Sequence, residues 1–178
     1  MVTQHNPDIL PAIVDTGANY SIFNSFQYVE PSSIRRLSSP VNVGGISGGL
    51  EVWFVGTTNC ETVDEDGNVI PIQEQVLINE QLPFPILSPQ AFLSHKANGG
   101  QGALPTADFT KLQHNAGDLQ EHFRVFHDRT EWHMQGRRIL TMNYDENYLP
   151  RMTLFSKGTA LSTLTSLNSV LSPNNKNL

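Results

Sequence analysis

The chain has 178 residues, of which 38% are hydrophobic and 8% aromatic, enough for one modest domain with extensions. Its formal net charge is -6, from 11 Lys+Arg against 17 Asp+Glu, which argues against a nucleic-acid binder working by bulk electrostatics. The lone Cys60 makes no internal disulfide, no apolar run is long enough to span a bilayer, and no basic-then-apolar leader opens the chain. The expectation is therefore a soluble intracellular protein with no membrane partner and no direct nucleic-acid partner.

Residues 1–8 are polar and read as a flexible N-terminus. Ile9 to Val14 is a short apolar run, the mark of a buried strand, and it ends at the turn Asp15-Thr16-Gly17. Tyr20 to Phe23 alternates as a second strand, and Val41 to Val43 is a third. The glycine-rich stretch Gly44-Gly45-Ile46-Ser47-Gly48-Gly49 then precedes a long strand, Leu50 to Thr58, rich in β-branched and aromatic residues. Asp64 to Asn68 contains Asp-Gly and reads as a hairpin turn, with Val69 to Ile78 as the returning strand. Ser88 to Leu93 is a short helix, with Ser88 as its cap and Pro89 in its first turn.

Residues 96–118, rich in Gly, Asn and Gln, read as a long loop. Phe123 to Phe126, Glu131 to Gln135 and Arg138 to Asn143 alternate apolar and polar, with Gly136 between the last two, as in a β-meander. From Ser156 the composition turns to Ser, Thr, Asn and Leu, and residues 156–178 read as a disordered tail. The organisation is a flexible start over 1–8, an all-β core over 9–95, a loop-and-meander extension over 96–155, and the tail. The pairs Arg35-Arg36 and Arg137-Arg138 read as solvated surface, as do Asp64 and Asp66. Cys60 reads as a small apolar strand residue, and Trp53 and Trp132 as core or interface aromatics.

Asp15 carries the chemistry. A carboxylate directly after three apolar residues sits at the end of a buried strand, where burial would oppose its ionisation. Thr16 can brace the turn, and Gly17 allows the backbone to approach where a side chain would clash. Two such carboxylates at hydrogen-bond distance share one proton, so that one acts as base and the other as acid on a water molecule. By chance a bare Asp-Thr/Ser-Gly triplet occurs in roughly one chain in ten of this length, and the apolar run before it with a small residue after it lowers that to about one in a thousand. A glycine-rich hairpin tip is what the same chemistry needs for a flap that opens for a peptide and closes against water.

Ala12 to Phe23, with Asp15-Thr16-Gly17-Ala18 at its centre, resembles the active-site signature of retropepsin-type aspartic proteases. Val43 to Gly49 resembles their flap, in the glycine-rich form of copia-type retrotransposon polyproteins. Leu87 to Phe92 is similar to the stretch that closes the protease core there, with Ser88 where retroviral enzymes usually have Gly, and Thr141 to Pro150 is similar to the segment that follows it. The resemblance implies a closed-barrel acid-protease fold and an obligate homodimer. Asp15 of each subunit would form the catalytic pair, with Thr16 bracing the two loops, Gly17 permitting the turn and Ala18 lining the cleft floor. Gly44, Gly45, Ile46, Ser47, Gly48 and Gly49 would form the flap over a polypeptide substrate, the element's own Gag-Pol polyprotein, in the cytoplasm or in virus-like particles. It implies no cofactor.

Blander readings compete. Asp15 alone could be an acidic turn residue, and the glycines at 44–49 a plain loop. His114, His122, His127 and His133 match no zinc spacing and read as solvated or strand-face residues, so no metal is expected. Neither Asp64 nor Asp108 has the setting of a second catalytic carboxylate, which leaves one motif per chain and points to dimerisation. The chain stops before any zinc module or integrase, and this motivates the alternative of a catalytically inactive dimerisation or peptide-binding module that keeps the fold.

Overall fold

The computed structural model describes residues 8–44, 49–94, 103–105, 111–114 and 121–171. The first half of the chain supplies β1 (Ile9–Val14), β2 (Ile22–Phe23), β3 (Arg35–Val43), β4 (Leu50–Thr57), β5 (Cys60–Val63), β6 (Val69–Ile72), β7 (Gln75–Ile78) and β8 (Ile86–Leu87), then helix α1 (Pro89–Ser94). The second half supplies β9 (Ala103–Pro105), β10 (Lys111–His114), β11 (Glu121–Val125), β12 (Arg129–Met134), β13 (Arg137–Asn143), β14 (Arg151–Ser156) and helix α2 (Ala160–Leu171). The fold is all-β, as the alternation of apolar residues and turn signals required.

Nine strands form one sheet, in the order β3-β4-β7-β2-β8-β1-β14-β5-β6, and five form a second, β13-β12-β11-β10-β9. β1 is covered on one edge by the parallel strand β8 and on the other by the antiparallel strand β14. Its apolar run follows from this position: Ala12, Ile13 and Val14 are all buried, as befits a strand packed on both faces. Leu10, Ala12, Val14, Phe23, Ile78, Leu87 and Leu154 join the main core.

The long hairpin read over Leu50 to Ile78 exists, but both arms break at one corner. Its inner halves, β4 and β7, stay in register, while the outer halves, β5 and β6, swing onto β14. Thr58 pins the bend: its Oγ1 donates to the Ile72 carbonyl at 2.7 Å and accepts the Glu74 N–H at 2.9 Å. The turn at Asp64–Asn68 forms as expected, with Gly67 at φ 84, where a Cβ would be strained.

Four expectations are corrected. No ladder joins β3 to β6 among the described residues, so the large sheet is open and not a closed barrel. Its edge strands carry Pro40 and Pro71, which have no N–H to offer a closing ladder. The boundary at residue 95 does not hold, because β14 from the far end of the chain pairs with β1 from Ile9↔Phe155 to Ile13↔Arg151. Within 96–118, where the composition predicts a loop, the described residues include strands β9 and β10. Beyond Ser156 the chain forms α2 and is not disordered there; Ala160 and Thr163 are buried, and the Ala160 N–H donates to Glu61 Oε1 at 2.9 Å, a carboxylate at the positive end of the helix.

The charged residues at the hairpin tip and on β13 are not merely solvated. Arg137 donates to Asp64 Oδ2 at 3.0 Å and to Asp66 at 2.5 Å, and Arg138 donates to Glu65 at 3.0 Å, so the turn is clamped to the second sheet. In the same sheet Trp132 is fully buried, stacked on Phe123 at 5.9 Å and met edge-on by Phe92 of α1 at 5.4 Å. Cys60 is buried in β5, as expected.

Burial pushes the Asp64 carboxyl up, but hydrogen bonds from Asn68, Arg137 and the Asp66 N–H outweigh it and hold the group down at about 2, against an ordinary 3.8. A depressed carboxyl stabilises the fold above its unfolded value, and that contribution is lost as pH falls through about 2. Asp64→Asn is therefore expected to lower the unfolding midpoint at pH 5 and to flatten part of its fall between about pH 4 and pH 2, read by circular dichroism. An equal acid-side fall in both proteins would count against the clamp.

Candidate active site

Asp15 stands where β1 ends. Its backbone N–H donates to the Leu87 carbonyl at 3.0 Å, so the strand partner β8 fixes the point at which the chain turns away. Its carboxylate Oδ1 accepts the Gly17 N–H at 2.8 Å, and its carbonyl accepts the Ala18 N–H at 3.2 Å. A Cβ at Gly17 would lie 3.2 Å from Oδ1, so a side chain there requires the carboxylate to give by a few tenths of an ångström. Asp15 is exposed, not buried as its place after an apolar run suggested. The turn carries the side chain past the end of the core.

The connection from Asp15 to Ser21 is held at both ends by the same strand. β8 pairs in parallel with β1 (Val14↔Leu87) and antiparallel with β2 (Ile22↔Ile86). It thus lies between the two strands that the Asp15 loop joins. Directly after β8, Ser88 ties the middle of the loop down. Its hydroxyl donates to the Ala18 carbonyl at 2.5 Å and accepts the Ala91 N–H at 3.2 Å, so one side chain both holds the loop and caps α1, the capping role expected of it. Gln90 of α1 reaches the Thr16 carbonyl at 3.3 Å.

Two hollows flank Asp15. One, of about 370 Å³, is lined by Asp15, Gly17, Ala18, Tyr20 and Ile22 on one wall and by Asn42, Val43 and Gly44 on the other. The Asp15 loop and the base of the glycine-rich segment thereby line one hollow. The second, of about 340 Å³, opens over Asp15 and Thr16 and is walled by Phe84, Tyr144 and Tyr148. Among the described residues Asp15 is the only carboxylate lining either hollow. Gly49 lines a different hollow, with Leu50 and Trp53. Gly45, Ile46, Ser47 and Gly48 lie outside the described residues. Among the described residues no three His, Cys, Asp or Glu side chains gather as a metal-holding group, and no helix is long and apolar enough to cross a membrane.

Sequence reasoning missed Glu74. It is fully buried, and its Oε2 accepts the Ser21 hydroxyl at 2.8 Å, while its Oε1 has no hydrogen-bond partner. A Glu flanked by Gln73 and Gln75 looks like a solvated edge; only the corner at Thr58 turns it inward. Tyr148, 81% exposed with φ 60 beside Asp15, was missed for a similar reason: it reaches the site from the far end of the chain.

Burial pushes the Glu74 carboxyl up to about 8 from an ordinary 4.5, against the opposing hydrogen bond from Ser21. An acid raised in the folded state contributes stability below its unfolded value that is lost as pH climbs to the folded one. The interval between 4.5 and about 8 corresponds to a loss on the order of 5 kcal/mol. Urea unfolding of the wild type is expected to show this decline between about pH 5 and pH 8, and Glu74→Gln, neutral throughout, to remove most of it. A decline of the same size in the variant would exclude Glu74 as its source.

The chain matches no family model, no curated protein and no solved structure.

Proposed function

We propose that this chain is one half of a retropepsin-like aspartic endopeptidase of the copia retrotransposon type, active as a homodimer. The observation that carries the reading is Asp15 itself. An exposed carboxylate, its Oδ1 set by the Gly17 N–H, stands on a loop pinned at both ends by β8 and faces the base of a glycine-rich segment across a cleft. The absence of a second carboxylate from both hollows among the described residues supports supply of the partner by a second copy.

In the assembled pair, two Asp15 carboxyl groups would share one proton and hold a water molecule between them. The ionised one takes a proton from the water as it attacks the scissile carbonyl, and the protonated one donates to the carbonyl oxygen. The substrate would lie extended between the loop floor at Gly17 and Ala18 and the flap, as an added strand, and would be the element's own polyprotein. Thr16, whose carbonyl is held by Gln90, would brace one loop against the other.

Purified protein is expected to cleave an extended peptide with a rate that peaks on the acid side of neutral, because the pair needs its shared proton. Asp15→Asn is expected to lower kcat by about a thousandfold or more, and a transition-state analogue of aspartic proteases to block the wild type. Sedimentation of the same samples should show a dimer. Wild-type dimer that cleaves nothing would favour an inactive peptide-binding module with the same fold.

A further inference from the structure

Glu74 is a fully buried carboxyl whose burial the proposed chemistry leaves unexplained. A carboxyl with no exposure and an unpartnered oxygen costs stability that an apolar residue in its place would not. Its connections lead to the catalytic loop. The Ser21 hydroxyl has a single proton and gives it to Glu74 Oε2 at 2.8 Å, which leaves its oxygen to accept the Ser88 N–H, also at 2.8 Å. Ser88 in turn gives its hydroxyl proton to the Ala18 carbonyl at 2.5 Å, and the Ala18 N–H closes the turn on the Asp15 carbonyl at 3.2 Å.

We propose that Glu74 is the positioning residue of the Asp15 loop, acting on it through Ser21 and Ser88. The claim that this affects turnover rests on Asp15 being catalytic; the claim that it sets the loop does not. Each hydroxyl in the line has one proton and one direction in which to give it. Removing the acceptor at Glu74 frees Ser21 to turn, and the Ser88 N–H then loses its fixed partner in a place closed to water.

The device is sensitive to pH because the carboxyl must stay neutral. An ionised Glu74 would need more donors, and its Oε1 has none. The relief available is to open the corner at Thr58, which draws Ser21 with it. The groups that face Glu74 are neutral: the Ser21 hydroxyl beside β2, Thr58 at the corner, and Cys60 of β5, whose thiol burial and the neighbouring Glu74 and Glu61 push far above the range in which Glu74 titrates.

The test follows the backbone amide resonances of Ala18 and Ser88 in labelled protein between about pH 6 and pH 9, in a chain carrying Asp15→Asn so that Asp15 contributes no titration. A single transition near pH 8 is expected. Glu74→Gln, which keeps shape and acceptor but holds no titrating proton, is expected to abolish it. Ser21→Ala is expected to abolish it at Ala18 while the Glu74 side-chain carbon still titrates, and it decides the matter if Glu74→Gln does not fold.

With Asp15 intact, Glu74→Ala is expected to lower kcat at pH 5 by about tenfold at little changed KM, and Glu74→Gln to restore it. No transition in the parent chain, or one that persists in Glu74→Gln or at Ala18 in Ser21→Ala, would overturn the proposal. A wild type that cleaves nothing yet shows the Glu74-dependent transition would remove the protease reading and leave the positioning role standing.

Discussion

The placement of β8 between β1 and β2 governs the rest of the molecule. Two residues, Ile86 and Leu87, pair with the strand entering the Asp15 loop and with the strand leaving it. Without them the stretch from Asp15 to Ser21 would be an ordinary exposed connection, free to move as such connections do. With them both ends are tied to one element, and Ser88, the next residue, ties the middle. The short helix that follows sends Phe92 onto Trp132 and so sets the second sheet against the same anchor. A site that must hold a carboxylate within a fraction of an ångström gains from resting on strands and not on a free loop.

The second half of the chain is joined to this core by more than adjacency. β14 occupies the free edge of β1 and provides an antiparallel ladder that the N-terminal part of the chain does not. The ion pairs of Arg137 and Arg138 with the hairpin tip add a second attachment. Exposed ion pairs contribute little each. Here, however, Asp64 is buried and gathers donors from Asn68 and Arg137, so the tip and β13 depend on one another. Residues 121–156 are therefore part of the structure that holds Asp15, not an appendage to it.

Glu74 runs against the economy of this core. An apolar residue would suit its buried place better, and the corner at Thr58 would still form through backbone groups. What an apolar residue could not do is orient Ser21. Buried polar groups that reduce stability while fixing one arrangement belong where geometry matters more than stability, and this one is linked through Ser21 and Ser88 to the Asp15 loop.

The sequence alone determined the local features. The apolar run before Asp15, the Asp-Gly turn, the Ser88 cap and the alternation around Gly136 each depend on neighbours within a few residues, and each is found where periodicity and turn chemistry placed it. Asp15, Gly17, Ala18 and Gly44 line one cleft. Only the tertiary structure decided what depends on distant partners. That β14 completes β1, that the sheet stays open, that Glu74 turns inward, and that residues past Ser156 coil against β5 all follow from pairings across tens of residues. Composition reports the average surroundings of a residue; pairing and burial depend on which distant segment arrives beside it.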